Sequence, residues 1–375
     1  MYFETAPIPP ARELVFTHGI DHPDLWLWDS WTMQEPDAEL NLYCLALSKT
    51  RPDGAPILPA ERNDFTFHVR RFISLDAGGS WRDRGPVMQP GQVADGADGR
   101  NIWSGSTLRL DKETVAFGFT GVRDCGTRRR FLQTICVAIG TGAGRPGRMP
   151  ETALSCPLRD YETIVSKGYY LGPRDTLGNN EGEDGGPIMA WRDPFLFSGP
   201  DGQLHAVWSA KLSPTIPAIA HARLERTGDR IGLVQLSAPI ELPDAHLMTQ
   251  AEVPKIYRDP ASGDFLMMIS ACDRRYEGQS DRELTHVHRL YRSSDLNGPW
   301  AAYGHGGSSL PGLEGLFGAS LVAHDVATGR FSVLGPHTEN AGPKKQLTFA
   351  DVVEVEVEVE VEVEAGLLTE QPGLA

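Results

Sequence analysis

"SGPDGQLHAVWSA" (198–210), "RDPASGDFLMMISA" (258–271) and "HDVATGRFSVLG" (324–335) repeat one pattern: a polar turn holding a glycine, then an apolar run. The turn glycines are Gly202, Gly263 and Gly329, about sixty residues apart, the spacing expected of one small antiparallel sheet per repeat. "FISLDAGGSWRDRGPVM" (72–88) adds a hairpin: a strand, a Gly-Gly turn, Trp81, and a second strand expected to begin near Val87. Sheets repeated radially form a β-propeller, whose central channel gathers residues from the inner strand of every blade. A chain of 375 residues at this repeat length suits five blades better than seven.

Composition agrees with an all-β chain. There are 40 glycines and 28 prolines, and few stretches hold apolar residues at helical spacing for three turns. A formal charge of −15 disfavours nucleic acid, whose phosphates need clustered Lys and Arg. The run Arg128-Arg129-Arg130 reads as a solvated turn. No apolar run approaches a membrane span. The start of the chain lacks the basic end and apolar core of an ordinary signal peptide, so the expectation is a cytoplasmic protein or one exported by another route. Cysteines 44, 125, 136, 156 and 272 are odd in number and lack a C-x-x-C pair, reading as free thiols rather than a zinc site.

No composition break marks a linker, so residues 1–375 are expected to form one propeller domain. The one low-complexity segment is the Val-Glu alternation at 352–364, followed by a short tail, 365–375. Period two places valines on one face of a strand and six glutamates on the other.

Acidic residues in unusual settings carry the chemistry. "WLWDSWTMQ" (26–34) surrounds Asp29 with three tryptophans. Burying a carboxylate without a partner costs several kcal/mol, on the order of a full desolvation penalty, and indole faces commonly line sugar sites. "IMAWRDPFLF" (188–197) sets Arg192-Asp193 before a proline inside an apolar run, where a strand must bend. "MTQAEVPKIY" (248–257) does the same with Glu252 before Pro254, and "NIWSGSTL" (101–108) offers Trp103 and Ser104 at a strand start. Each alone suits a structural turn. At blade-like separations, a propeller brings all of them to one channel.

The series Trp28-Asp29-Ser30-Trp31, Ile102-Trp103-Ser104-Gly105-Ser106, Trp191-Arg192-Asp193-Pro194 and Gln250-Ala251-Glu252-Val253-Pro254 resembles the motifs of glycoside hydrolase family 68, the levansucrases, inulosucrases and bacterial β-fructofuranosidases. The resemblance runs from about residue 20 to about residue 335. It implies a five-bladed propeller and a retaining mechanism on a β-fructofuranosyl group, usually that of sucrose; no cofactor is expected. By it Asp29 matches the nucleophile, Asp193 the carboxylate that binds fructose hydroxyls and stabilises the transition state, and Glu252 the general acid/base. Arg192 matches a substrate-binding arginine, and Trp28, Trp103 and Ser104 fall in the substrate-binding motifs. The residue types suit acetal cleavage, which needs one carboxyl protonated for the leaving oxygen and one ionised to attack. Desolvation among Ala251, Val253 and Pro254 is expected to favour the protonated Glu252, and indole N–H groups with Ser104 to favour the ionised Asp29.

The chain departs from that pattern on the acceptor side. Val253 stands where the family has an arginine, with Lys255 two residues on as one replacement and Arg274 and Arg275 as others. Ser209, in Val207-Trp208-Ser209-Ala210-Lys211, falls where the family carries a glutamate. His286 and His288 share a strand face but lack an acidic partner, and read as ordinary strand histidines rather than metal ligands. "NNEGEDGG" (179–186) is an acidic glycine loop of a kind that can hold Ca²⁺, but it lacks EF-hand spacing and reads as a flexible rim loop. Rival readings are an enzyme of the same propeller group acting on another furanoside and a non-catalytic sugar-binding propeller.

Overall fold

The computed structural model describes residues 4–91, 96–127, 130–147, 149–177, 188–276, 279–280, 283–304, 306–338, 342 and 345–358, without the side chains of 124–130. Five antiparallel sheets follow one another along the chain as the blades of a β-propeller. The first holds β1 (Val15–Phe16), β2 (Leu25–Gln34), β3 (Leu40–Ser48), β4 (His68–Ser74) and β5 (Trp81–Met88) in the order β1-β5-β4-β3-β2. The second holds β6 (Asn101–Arg109), β7 (Thr114–Thr127) and β8 (Arg130–Thr141). The third holds β9 (Arg192–Ser198), β10 (Leu204–Ser213), β11 (Ile216–Thr227) and β12 (Arg230–Leu236). The fourth holds β13 (Gln250–Arg258), β14 (Phe265–Cys272), β15 (His286–Ser293) and β16 (Ala301–Ala302). The fifth holds β17 (Ser320–Asp325), β18 (Arg330–Leu334) and β19 (Val353–Glu356).

Apolar faces of adjacent blades pack on each other, so each interface between blades is its own core. Trp31, Tyr43 and Phe67 of the first blade meet Ile102, Phe117 and Phe119 of the second. Val207 and Ile219 of the third meet Ile256, Met267 and Ile269 of the fourth. Leu25, Leu27 and Leu42 meet Leu334 and Phe349, which closes the ring. Burying such a side chain contributes about 1.5–3 kcal/mol. Backbone bonds complete the closure: Ile20 and Phe349 exchange N–H···O bonds of 3.1 and 3.0 Å, and Leu27 N–H reaches Leu347 O at 2.8 Å.

Gly202, Gly263 and Gly329 each sit in the turn between first and second strands of blades three, four and five, at φ of +76°, +80° and +69°. An L-residue pays a steric cost at these angles, which is why the turns are legible as glycine turns. The predicted hairpin at 72–88 needs correction, because its second strand starts at Trp81 rather than near Val87. "RDRG" pairs as strand because Asp83, though buried, accepts two bonds from Arg70, at 2.8 and 2.6 Å. Of the Val-Glu segment, Val353–Glu356 forms the outer strand of the fifth blade, while residues from 359 on, including the tail, lie outside the described residues. The loop 179–186 and Arg128-Arg129 lie outside them too. Among the described residues, no helix is long and apolar enough to cross a membrane.

Candidate active site

The strand at the inner edge of each blade (β2, β6, β9, β13 and β17) carries a register irregularity. In β2 the extra residue is Asp29, between Trp28 and Ser30; in β6 it is Ser104, between Trp103 and Gly105. In β9 the shift takes in Asp193, and in β13 it falls between Glu252 and Lys255. A bulge bends a strand and re-aims the side chain at the kink. Asp29, Asp193 and Val253 accordingly have φ of +28°, +62° and +47°, a left-handed backbone that is uncommon for any of them and an outlier for a β-branched valine.

Trp28, Asp29, Trp103 and Ser104 line one cavity of about 540 Å³ at the channel mouth. Arg192, Asp193, Glu252 and Arg274 line the same cavity. Its volume suits an oligosaccharide end group. These eight residues, each named from the sequence, thus converge from blades one to four, while Ser209, Lys255 and Arg275 do not line the cavity. Only one of the three tryptophans around Asp29 faces this cavity. Trp31 is buried with its Nε1 donating to Thr107 Oγ1 at 2.8 Å, and Trp26 Nε1 donates to Ile57 O at 2.8 Å. The expected indole donors to Asp29 are therefore corrected, and the donor that reaches Asp29 Oδ2 is the hydroxyl of Ser104.

Arg192 ties the carboxylates together. Its Nη2 donates to Glu252 Oε1 at 2.7 Å, and its Nε lies 3.7 Å from Asp193 Oδ2. Met189 O at 2.7 Å, Gln133 Oε1 at 3.3 Å and Gln250 Oε1 at 3.3 Å hold the rest of the fork. Glu252 therefore faces a guanidinium across the channel, not the apolar pocket that its sequence neighbours suggested. Asp193 is 5% exposed, and Ser209 Oγ and Val253 N–H each donate to its Oδ2 at 3.2 Å. Its own N–H donates to Thr120 Oγ1 at 2.7 Å, and that hydroxyl donates to Ser104 O at 3.1 Å, so the second and third blades share one polar seam.

Burial pushes the Asp193 carboxyl up to about 7; Arg192 opposes this, Glu252 and Asp29 reinforce it, and the Val253 N–H opposes it weakly. Burial also raises Asp29, offset by the Ser104 bond, raised again by Glu252, and lowered by Lys255 and Arg62. Burial thus favours the neutral form at both Asp29 and Asp193, and the Ser104 bond favours the ionised form at Asp29. One can then hold a proton while another stays ionised.

Lys255 does not replace the missing cation at the acceptor side, because it points under the channel floor. Arg274 lies on the cavity wall, with Nη1 donating to Gln279 O at 2.8 Å. His288 is buried and accepts the Ala319 N–H at 3.4 Å, with burial pushing it down to about 3, and His286 packs against Phe317. Among the described residues no group of three His, Cys, Asp or Glu side chains could hold a metal ion. Sequence reading missed Thr120, Gln133 and the roles of Ser209 and Lys255, which are ordinary strand residues with no local mark.

Fold and site together define a five-bladed propeller with an acidic, tryptophan-walled channel mouth. Solved structures of similar fold include an inulosucrase, levansucrases and a β-fructofuranosidase. The chain is similar to inulosucrase from Halalkalicoccus jeotgali bound to kestose, at 19% identity and a TM-score of 0.64, with 95% of this chain and 89% of that chain covered. It is similar to levansucrase from Bacillus subtilis, at 14% identity and a TM-score of 0.55, with 91% and 89% covered. A β-fructofuranosidase of glycoside hydrolase family 32 from Bombyx mori gives 13% identity and a TM-score of 0.55, with 91% of this chain and 62% of that chain covered. No protein-family profile matches the sequence, and no curated protein does.

Proposed function

We propose that the chain is a retaining enzyme of β-fructofuranosides, acting on sucrose or a related fructoside by hydrolysis or fructosyl transfer. The observation that carries this reading is the convergence of Asp29, Asp193 and Glu252, from bulges of three blades, on one cavity around Arg192. A binding propeller needs no such trio, whereas acetal cleavage uses one carboxyl to attack and one to protonate. Similar folds that bind kestose and oligosaccharides support a fructoside as the ligand.

In this reading Asp29 attacks the anomeric carbon as the bond to the leaving oxygen breaks, and Glu252 gives that oxygen its proton. Asp193 bonds fructose hydroxyls and faces the charge that develops on the ring. Water or a sugar hydroxyl then yields a proton to Glu252, attacks the same carbon and releases Asp29. The test is incubation with sucrose, raffinose and inulin, with glucose, fructose and oligosaccharides resolved by chromatography. Release of glucose from sucrose by the wild type, lost by about 10⁴-fold or more in a folded Asp29→Asn variant, is the expected result. No fructosyl product from any of the three donors would sink the reading.

A further inference from the structure

Lys255 is 1% exposed, three residues beyond Glu252 on the far side of the β13 bulge. Its Nζ faces three carbonyl oxygens: Ala319 at 2.7 Å, Gly318 at 3.3 Å and Val253 at 3.5 Å. An amine ringed by three acceptors uses all three of its protons only as an ammonium, since a neutral amine would aim a lone pair at an oxygen. A lysine this deep is costly unless charges of opposite sign stand near. Those charges belong to the site itself.

Gly318 links the two. Its carbonyl also accepts the Ser30 N–H at 3.3 Å and the Ser30 hydroxyl at 3.2 Å, and its N–H donates to Ser270 Oγ at 2.9 Å. Its Cα is pressed against the proposed nucleophile: at φ +72°, an added Cβ would stand 2.7 Å from Asp29 Oδ1 and 3.0 Å from Asp29 Cα. One peptide of the fifth blade is thus bonded from the fourth by Lys255, bonded from the first by Ser30, and in contact with the Asp29 carboxyl. Neither Lys255 nor Gly318 touches the space where substrate would sit.

We propose that Lys255, on the reading of the site given above, is a positioning residue whose ammonium supplies the counter-charge for Asp29 from beneath the channel and fixes that carboxylate through the Gly318 peptide. The charged and titratable groups facing the pair are Asp193 of β9 and His288 of β15 on the Lys255 side, and Glu252 and Arg62 on the Asp29 side. Burial pulls Lys255 down to about 7 while Asp29 and Asp193 pull it back up, and Lys255 lowers Asp29 in return. Each of the two charges therefore favours the other. His288, held neutral by burial, adds no competing charge near neutral pH.

The experiment uses the full chain with Lys255→Met, Lys255→Gln and Gly318→Ala. The Asp29 carboxyl is titrated by carbon NMR without substrate, assigned by difference from Asp29→Asn, and the pH profile of kcat/KM on sucrose is recorded beside it. Both Lys255 variants should raise the Asp29 midpoint by about one pH unit or more and carry the acid limb of the profile with it. Gly318→Ala, which displaces the carboxylate and keeps the charge, should lower kcat on the order of 100-fold with less than half that midpoint shift. Glutamine keeps hydrogen-bonding capacity at this position and removes only the charge, so it stands in if Lys255→Met fails to fold. An Asp29 midpoint unmoved in both Lys255 variants overturns the proposal, as does loss of the fold in both, which would make Lys255 purely structural. The titration needs no turnover, so an inactive wild type would sink the proposed reaction and leave this result readable.

Discussion

Arg192 Nη2 donates to Glu252 Oε1 at 2.7 Å, across the seam between the third and fourth blades. One guanidinium thereby places the proposed acid/base and, through Nε, stands 3.7 Å from Asp193. Its planar fork also meets Met189 O, Gln133 and Gln250, a set of directions that no single ammonium can satisfy.

Arg192→Lys therefore keeps the charge and loses the geometry. The expected outcome is a loss of about 100-fold in kcat/KM on the preferred fructoside, with near-normal thermal stability. Kinetics within a few-fold of wild type would show that charge alone, and not the fork, serves the site.

Asp193 connects activity to stability. Its folded carboxyl titrates at about 7 against an ordinary 3.8, so between those values the folded chain holds a proton that the unfolded chain releases. Stability from this group is full below about 4 and is lost as pH rises through about 7. Asp193→Asn removes that loss. The variant should match wild type in melting temperature near pH 4 and exceed it by on the order of 5 °C near pH 7.5, while turnover is abolished. A constant difference across that range would mean that Asp193 is not the buried acid described.

The propeller was legible where glycine marks the turns, which is true of blades three to five. In the first blade the corresponding turn uses Ala38 at φ +68°, and in the second Asp111 accepts the N–H groups of Glu113 and Thr114 at 2.9 and 2.8 Å. Neither turn advertises itself, so the first two repeats had no counterpart to align. Strand β3, "LNLYCLALS", is buried along its whole length and shows no alternation, because neighbouring blades cover both of its faces. The site was legible through residues that break local rules: carboxylates among indoles, or just before a proline. Thr120, Gln133 and Lys255 break none, and only the meeting of distant strands gives them partners.

Val253 measures the strain stored at the site. It is buried, β-branched and at φ +47°, with its N–H on Asp193. A left-handed backbone costs an L-residue about 1–2 kcal/mol, which glycine does not pay. Val253→Gly should therefore lower the melting temperature by less than half as much as Val207→Gly, at an equally buried strand position with no positive φ. Equal losses in the two variants would indicate that the bulge at Val253 carries little strain.

The last prediction separates Glu252 as the acid from Glu252 as a partner that merely orients Arg192. If it gives the leaving oxygen a proton, Glu252→Ala should slow cleavage of a natural fructoside far more than that of a fructoside with an acidic leaving group. The gap should be about 10²–10⁴-fold, the usual contribution of general acid catalysis. With the activated donor, a small anion such as azide should accelerate the second step, since its attack on the fructosyl intermediate needs no general base while that of water does. Retention then requires a β-fructosyl azide, identifiable by NMR. Should Glu252 serve only to hold Arg192, both donors would slow alike and azide would change nothing. The pattern would then match that of Arg192→Lys, and the proton donor would have to be another group on the same cavity wall.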